Sequence, residues 1–281
     1  MNEIIVGIGE ILWDMLPTGK ALGGATANFA YHASRLGAEG WAVSAIGNDA
    51  LGKEIMDVVS QKNLNTIMKA TDRPTGTVQV VLDSAGVPSY NIMEDVAWDN
   101  IPFTDEMKAL AGRADAICFG SLAQRMNSRE SILKFLQASG PDTLKIFDIN
   151  LRQHYFSKEV IETSLQMSDI LKINDEEILT VAGMFGVSGS SAEVCRYLIG
   201  KYGLELVILT KGASGSEIVT STEIIPQEAG KVAVVDTVGA GDAFTAAFTV
   251  AYLRGKSLKD AQKLASDTAA YVCSQKGAMP E

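Results

Sequence analysis

Residues 231–255 read KVAVVDTVGAGDAFTAAFTVAYLRG, and this stretch decides the fold. Residues 231–235 are apolar and rich in β-branched side chains, which predicts a short buried strand. A small-residue turn, Gly239-Ala240-Gly241, follows, and residues 243–254 have the composition of a helix. The pattern predicts a strand, a tight turn and a helix, which is the repeating unit of an α/β protein.

The turn and the residue after it carry the chemistry that this stretch predicts. A helix begins with unpaired backbone N–H groups and the positive end of its dipole, so Gly239, Ala240 and Gly241 are predicted to cradle a phosphoryl group. Asp242 then falls in the first turn of the helix, where it is placed to take a proton from an attacking hydroxyl. The alternative interpretation is an ordinary glycine turn followed by a favourable first-turn acid.

The string DTVGAGDAF, residues 236–244, resembles the C-terminal signature of the ribokinase-like sugar kinases of the phosphofructokinase-B type. The resemblance implies an ATP-dependent kinase with Asp242 as general base and residues 239–241 as anion hole. It also implies an α/β three-layer sandwich, with a mostly parallel central sheet, helices on both faces and a small β-sheet lid.

Composition limits the classes of partner. The chain has 281 residues with 47% hydrophobic content, enough for the core of one large α/β domain. The net charge of −10 argues against a nucleic acid or an anionic membrane as partner. Cys118, Cys195 and Cys273 follow no metal-ligand spacing, and the chain opens without a signal-peptide pattern, so we expect reduced thiols in a cytoplasmic protein.

Most of the chain alternates between apolar strands and amphipathic helices. The predicted strands are 4–9, 41–46, 116–119, 144–149, 170–173, 206–209 and 216–219, and the predicted helices are 26–36, 52–61, 104–111, 128–138, 158–166, 175–182, 191–202 and 258–274. Two segments interrupt this rhythm: short strands in residues 11–22 around a turn at 17–20, and a hairpin of residues 77–82 and 87–93 around a turn at 83–86. We expect one kinase domain over residues 1–281, with a lid from roughly 11–22 and 73–100.

A first group of candidate residues concerns the sugar. Asp14 follows the first strand, and residues 23–37 read GGATANFAYHASRLG. An acid, a bare backbone at Gly23 and Gly24, and the amide of Asn28 offer the acceptors and donors that bind a polyol. The string resembles the family's sugar-binding signature, with Thr26 where a proline often stands. A glycine turn with an ordinary helix cap is the alternative.

A second motif, Asp148-Ile-Asn150-Leu-Arg152, follows another predicted strand and resembles the D-x-N-x-R stretch of the family. Arg152 is then a candidate for contact with the sugar or with the transferring phosphoryl group, because a guanidinium neutralises phosphate charge. The alternative is a surface arginine paired with an acid.

A third motif concerns cations. Asn174-Asp-Glu-Glu177 resembles the N-x-x-E motif, which organises Mg²⁺ and its water shell near the triphosphate, here through water. The alternative, a helix cap followed by first-turn acids, is compatible with that role. Asp236 resembles part of a site that binds a monovalent cation such as K⁺ in some members.

The nucleotide is predicted to meet the loop Thr210-Lys211-Gly212-Ala-Ser-Gly215, which resembles the family's glycine-containing ATP loop. The chain has no Walker-type string, which excludes a P-loop. A turn between two strands is the alternative, and Lys211 either contacts phosphate or is solvated. Ser266, on the last predicted helix, stands where the family packs against adenine.

Together these motifs predict phosphorylation of a primary sugar hydroxyl by ATP with Mg²⁺. GEILWD, residues 9–14, with the glycine signature is most similar to the fructokinase branch, and 2-keto-3-deoxygluconate kinase and ribokinase are the alternatives. A non-catalytic sugar- or nucleotide-binding relative is the alternative from another class. Exposed strand edges in the lid predict a homodimer.

Overall fold

The computed structural model describes residues 2–16, 19–82 and 88–281, with the backbone alone at residues 80–82 and 88–90. The predicted turn at 83–86 and the first half of the predicted turn at 17–20 lie outside these residues. Nowhere in these ranges is a helix both long and apolar enough to cross a membrane.

Among the described residues, the larger of the two sheets has nine strands and forms the central layer of the fold. Its strands are β1 (Ile4–Ile8), β4 (Glu39–Gly47), β5 (Asn65–Thr71), β8 (Ala116–Phe119), β9 (Leu144–Asp148), β10 (Ile170–Asn174), β11 (Leu206–Thr210), β12 (Ser216–Val219) and β13 (Ile224–Gln227), with β2 and β3 and β6 and β7 in the second sheet. The order is β13-β12-β11-β10-β9-β8-β1-β4-β5. Neighbours from β11 to β5 are parallel, and β12 and β13 are antiparallel. Parallel strands end at one edge, where ligands of open α/β sheets bind.

Helices cover both faces of this sheet. They are α1 (Ala25–Arg35), α2 (Ala50–Gln61), α3 (Asp105–Ala111), α4 (Ser128–Gln137), α5 (Lys158–Gln166), α6 (Glu177–Phe185), α7 (Ser191–Tyr202), α8 (Ala240–Leu253) and α9 (Leu258–Cys273). Strand alternation divides the core: Val207 and Leu209 of β11 pack with α3 to α7, and Leu206 and Ile208 pack with α1, α8 and α9. The predicted three-layer α/β sandwich is confirmed.

The second sheet has four strands in the order β3-β2-β6-β7. They are β2 (Leu12–Leu16), β3 (Gly19–Gly23), β6 (Thr77–Leu82) and β7 (Pro88–Ile92). The outer pairs are antiparallel and β2 runs parallel to β6, which joins two distant parts of the chain. This is the small sheet that the sequence predicts.

The strand predicted at residues 231–235 is wrong. These residues form no strand, and Val234 and Val235 are 65% and 55% exposed. The backbone N–H groups of Val235 and Asp236 instead donate to the carbonyl of Cys273, at the end of α9. The segment therefore crosses the end of α9 instead of forming the predicted buried strand, and β13 is the strand at that edge of the sheet.

Two strands, β5 and β13, have no counterpart in the prediction. Both lie at edges of the large sheet, where one side of a strand faces solvent. The sequence of β5, NTIMKAT, lacks a continuous apolar run, and only Ile67 of this strand is buried. Edge strands of this composition give a weak periodic signal.

Candidate active site

The start of α8 meets α1 at the end of the sheet that the parallel strands point to. The side-chain amide of Asn28, on α1, donates to Asp242 Oδ2 at 2.8 Å. Asp242 is in the first turn of α8, which begins at Ala240 and so three residues before the predicted start. Two motifs 214 residues apart in sequence are thereby brought together.

Gly239 precedes α8 in the left-handed conformation, with φ of 79°. A Cβ at this position would lie 2.6 Å from the Cβ of Ala278, so the C-terminal segment closes one side of the turn. On the other side, a Cβ on Gly241 would lie 3.2 Å from Lys172 Nζ. Gly239 is thus required by its backbone conformation and by Ala278, whereas at Gly241 the limit is the space next to Lys172.

Asp242 is ionisable near neutral pH in this environment. Burial, and after it the negative charge of the Asp148 carboxylate, raise its pKa to about 6. The hydrogen bond from Asn28 and the positive charges of Lys172 and Arg152 act in the opposite direction. At pH 7 the group is mostly ionised yet basic enough to accept a proton, as a general base requires.

A buried network lies directly beneath the turn. Lys172 Nζ donates to Asp148 Oδ1 at 3.0 Å, and both side chains are less than a tenth exposed. Thr245 Oγ1 lies 2.9 Å from Asp148 Oδ2 and 3.0 Å from the carbonyl of Gly241. Burial alone lowers the pKa of Lys172, but the carboxylates around it, Asp148 foremost, hold that pKa above its usual value. The network places a permanent cation next to the predicted anion hole.

Sequence reasoning assigns no role to Lys172 and identifies Asp148 only as the first residue of the D-x-N-x-R motif. Each is a charge at or near the end of an apolar strand, in LKIN and KIFD. A charge within a strand buried on both faces requires a partner. The sequence therefore indicates that each of these charges has a partner, and the fold is needed only to identify which partner it is.

Of the predicted sugar residues, Asn28 contacts Asp242, and Arg152 acts electrostatically on both Asp14 and Asp242. Burial raises the pKa of Asp14, against the positive charge of Arg152. A Cβ on Gly23 would lie 2.6 Å from Asp14 Oδ2, and one on Gly24, at φ of 119°, would overlap the carbonyl of Glu10. Arg152 is exposed, in a loop where Asn150 has φ of 41°.

Glu10 is a further acid at this place that sequence reasoning missed. It is 4% exposed, and its Oε1 accepts the backbone N–H of Ala25 at 3.0 Å. Its Oε2 is buried and has no hydrogen-bond partner among the described residues. Burial raises the pKa of Glu10 to about 7, and the nearby Asp242 contributes to this. The hydrogen bond from Ala25 to Glu10 fixes the start of α1, the helix that bears Asn28.

Asn174 and Glu177 join the end of β10 to the start of α6. Asn174 Oδ1 accepts the N–H groups of Glu176 and Glu177, at 3.0 and 2.8 Å. Glu177 is buried, and its two oxygens accept the N–H groups of Asn174 and Leu151, at 2.9 and 2.8 Å. The capping interpretation is therefore correct, and a magnesium ion fits these oxygen donors only through water.

Within residues 2–16, 19–82 and 88–281, no three His, Cys, Asp or Glu side chains converge as a metal site. Asp236 uses its oxygens for the N–H groups of Val238 and Gly277, at 3.1 and 3.0 Å. Its carboxylate fixes the loop ahead of the turn and the C-terminal segment.

The predicted nucleotide loop is a 3₁₀ turn, Gly212–Ser214, between β11 and β12. Thr210 ends β11, and Gly215, at φ of 91°, closes the turn by accepting the N–H of Lys211 at 2.8 Å. Lys211 Nζ pairs with Glu217 at 2.5 Å. The loop is both a turn and an open backbone surface.

Ser266 lies across from this loop on α9. It is 8% exposed, and its hydroxyl lies 3.3 Å from the carbonyl of Glu228. Four valines of the segment that leads to the turn before α8 are exposed, at positions 232, 234, 235 and 238.

The chain is similar to known carbohydrate kinases in sequence and in fold. The family described as pfkB family carbohydrate kinase matches residues 17–281. The uncharacterized sugar kinase PH1459 of Pyrococcus horikoshii is 32% identical over 275 residues, covering 91% of this chain and 84% of that protein. Its crystal structure has a TM-score of 0.85 at 30% identity, over 99% of this chain and 94% of that chain, and a second structure holds ATP.

Two further relatives carry a more specific name. A fructokinase of Vibrio alginolyticus is 26% identical over 306 residues, covering 99% of this chain and 95% of that protein. The structure of a fructokinase with bound ATP from Xylella fastidiosa has a TM-score of 0.87 at 20% identity, over 99% of this chain and 94% of that chain. The second likeness concerns the fold alone.

Proposed function

Because the chain belongs to the pfkB family of carbohydrate kinases, we propose that it transfers the terminal phosphoryl group of ATP to a primary hydroxyl of a small sugar. The single observation that carries this proposal is Asp242, held by Asn28 in the first turn of α8 beside a glycine-built anion hole. An acid at an anion site is unfavourable for binding alone, and it is useful when a hydroxyl must lose its proton there.

In this mechanism Asp242 accepts the proton of the sugar hydroxyl as the oxygen attacks phosphorus. Its pKa of about 6 keeps it ionised at pH 7. The amide of Asn28 donates to one carboxylate oxygen and leaves the other for the sugar. The hydroxyl is thereby oriented as well as activated.

The charge of the transferring group is balanced by the start of α8. The N–H groups of Gly239 and Gly241 have no partner within the helix and would face the phosphoryl group, whereas the N–H of Ala240 also donates to the carbonyl of Thr237 at 3.3 Å. Lys172 lies beside Gly241 and adds a positive charge that its pair with Asp148 holds in place. Arg152 is the second cation available to the phosphoryl group or to the sugar.

We assign ATP to the Thr210–Gly215 loop, Ser266 and the exposed valines. An adenine ring needs an apolar surface and a few backbone contacts, and both are offered there. Mg²⁺, when bound with ATP, neutralises phosphate charge. Asn174 and Glu177 would hold its water shell, and the loop at Asp236 would hold K⁺ in a potassium-dependent enzyme.

The sugar lies between Asp14, Gly24, Asn28 and Arg152, with fructose as first candidate. Support comes from the relatives named fructokinase. Others are named ribokinase and nucleoside kinase, so ribose remains an alternative, as does 2-keto-3-deoxygluconate.

The small sheet acts as a lid that excludes water, and its edge strands β3 and β7 offer a dimer surface. Dependence on ATP, together with free thiols at Cys118 and Cys195, suits the cytoplasm.

The test is ADP release from Mg-ATP with fructose, ribose, 2-keto-3-deoxygluconate, tagatose and adenosine offered separately. Turnover of fructose alone is the expected result, and analysis of the product identifies the phosphorylated carbon. Asp242→Asn is expected to abolish turnover while ATP still binds. If Asp242→Asn retains turnover, the mechanism is wrong; if ATP binds without turnover of any sugar, the non-catalytic alternative gains.

A further inference from the structure

One buried cluster contacts both ends of the hairpin β6–β7 where it joins the rest of the chain. We name it the lid-base cluster, and its members are Trp98, Asp99, Arg125 and Tyr155. A Cβ on Gly76, directly before β6, would overlap the indole of Trp98. The carbonyl of Met93, directly after β7, accepts a hydrogen bond from Arg125 Nη2 at 2.5 Å. The position of the hairpin therefore depends on this cluster.

Arg125 is fixed from several sides. Its Nε and Nη2 donate to the two oxygens of Asp99, both at 2.7 Å, and the side chains are 4% and 0% exposed. The guanidinium carbon lies 4.2 Å from the ring centre of Trp98 and 4.5 Å from that of Tyr155. A buried ion pair of this kind adds little stability over a well-packed apolar cluster. What the guanidinium adds is a fixed geometry among three partners.

Tyr155 links this cluster to the loop that carries Arg152. Its backbone N–H donates to the carbonyl of Arg152 at 3.0 Å. Its hydroxyl lies 2.8 Å from Glu94 Oε1 and 3.3 Å from the carbonyl of Ile92, the last residue of β7. Arg152 in turn acts electrostatically on Asp14 and Asp242. Hydrogen bonds therefore connect the backbone of Arg152 to the base of the small sheet, and the charge of Arg152 acts on the acids of the site.

We propose that Arg125 and Tyr155 are positioning residues that hold the hairpin β6–β7 at a fixed place relative to the Arg152 loop. This inference rests on the proposed function for its sugar, and it adds residues that touch neither sugar nor ATP. Occupancy of the sugar site, sensed at Arg152, and the position of the lid are then set together.

The first variant is Tyr155→Phe, which removes one hydroxyl and keeps the ring that stacks on Arg125. We expect the KM for the sugar to rise about fivefold, the value of one hydrogen bond, with the KM for ATP within about twofold of wild type. ADP release without sugar should rise relative to sugar-dependent turnover, since a misplaced lid admits water.

The matched control is Tyr252→Phe, which removes a hydroxyl bound to Glu205 at 2.6 Å. It lies near the far end of α8, roughly 18 Å along the helix from its start. We expect no change in either KM. Equal shifts in the two tyrosine variants would overturn the proposal, because they would reflect general loss of stability.

A second measurement does not depend on turnover. Amide hydrogen exchange of residues 88–94 should be faster in Tyr155→Phe, and in Arg125→Lys, which keeps the charge but loses the paired contact with Asp99. Sugar should slow this exchange in wild type and not in the variants. Unchanged exchange and an unchanged ratio of KM values in Tyr155→Phe would refute the inference. Wild type that turns over no sugar would instead refute the proposed function, and exchange without sugar would still decide the positioning role.

Discussion

Asp242, the proposed general base, is a buried acid that should destabilise the folded protein, and Asp242→Asn measures by how much. Asp242 has a pKa of about 6 against an ordinary value of 3.8. The difference, at 1.36 kcal/mol per unit, corresponds to about 3 kcal/mol. Asparagine keeps the shape and an oxygen that accepts the hydrogen bond from Asn28, and its side chain does not ionise.

The sign follows from proton binding. Between pH 3.8 and about 6 the folded chain holds a proton on Asp242 that the unfolded chain has lost, so stability falls as pH rises through this range. Well above pH 6 the folded chain has also lost this proton, so stability no longer changes with pH on account of Asp242. We therefore expect the advantage of Asp242→Asn to be about 1 kcal/mol at pH 4.5 and about 3 kcal/mol at pH 8.

Urea unfolding at the two pH values, without ATP or sugar, is the assay, and the exposed Asp72→Asn is the charge-matched control. The quantity to compare is the free energy of unfolding of each variant relative to wild type. An advantage of Asp242→Asn that is equal at both pH values, or shared by Asp72→Asn, would show that the carboxylate is not held at a cost.

Three further predictions concern the same site. First, kcat/KM for the sugar should fall below pH 6 as Asp242 takes up one proton, to about one tenth of its plateau at pH 5; a flat profile down to pH 5 would contradict the assignment of the base. Second, Gly239→Ala should lower kcat by about 100-fold and also lower Tm, because alanine is strained at φ of 79° and its Cβ would meet Ala278; Ala278→Gly in the same chain should recover part of the loss, measured by thermal unfolding and kcat. Third, Arg152→Lys should reduce kcat/KM for the sugar about tenfold without changing Tm, since lysine keeps the charge but loses the planar fork; wild-type kinetics would mean that Arg152 contacts only solvent.

The sequence predicted most of the sandwich because apolar strands and capped helices carry their own signals. Strand β11 and helix α7 fall within one residue of their predicted bounds. The error at residues 231–235 has a physical cause: a run of valines has strand propensity wherever it lies, but pairing depends on which edge is free. Here β13 holds that edge, and the valines remain exposed.

The site divides in the same way. Asp242 and the turn before it were predictable because a helix start imposes its own chemistry on the backbone. The pairing of Lys172 with Asp148, and the burial of Glu10, depend on which strands become neighbours. Periodicity does not specify that order, so these groups emerged only with the fold.

The charges around Asp242 also bear on which sugar fits. Glu10, Asp14 and Asp242 are acids that act on one another or share Arg152 as counter-charge, and Lys172 is already paired. Arg152 is thus a cation that these acids already share, and a substrate carboxylate would compete for it with the phosphoryl group. An anionic sugar acid would enter against this field, whereas an uncharged polyol would gain hydrogen bonds from the same acids. This balance is the physical reason for placing fructose or ribose ahead of 2-keto-3-deoxygluconate.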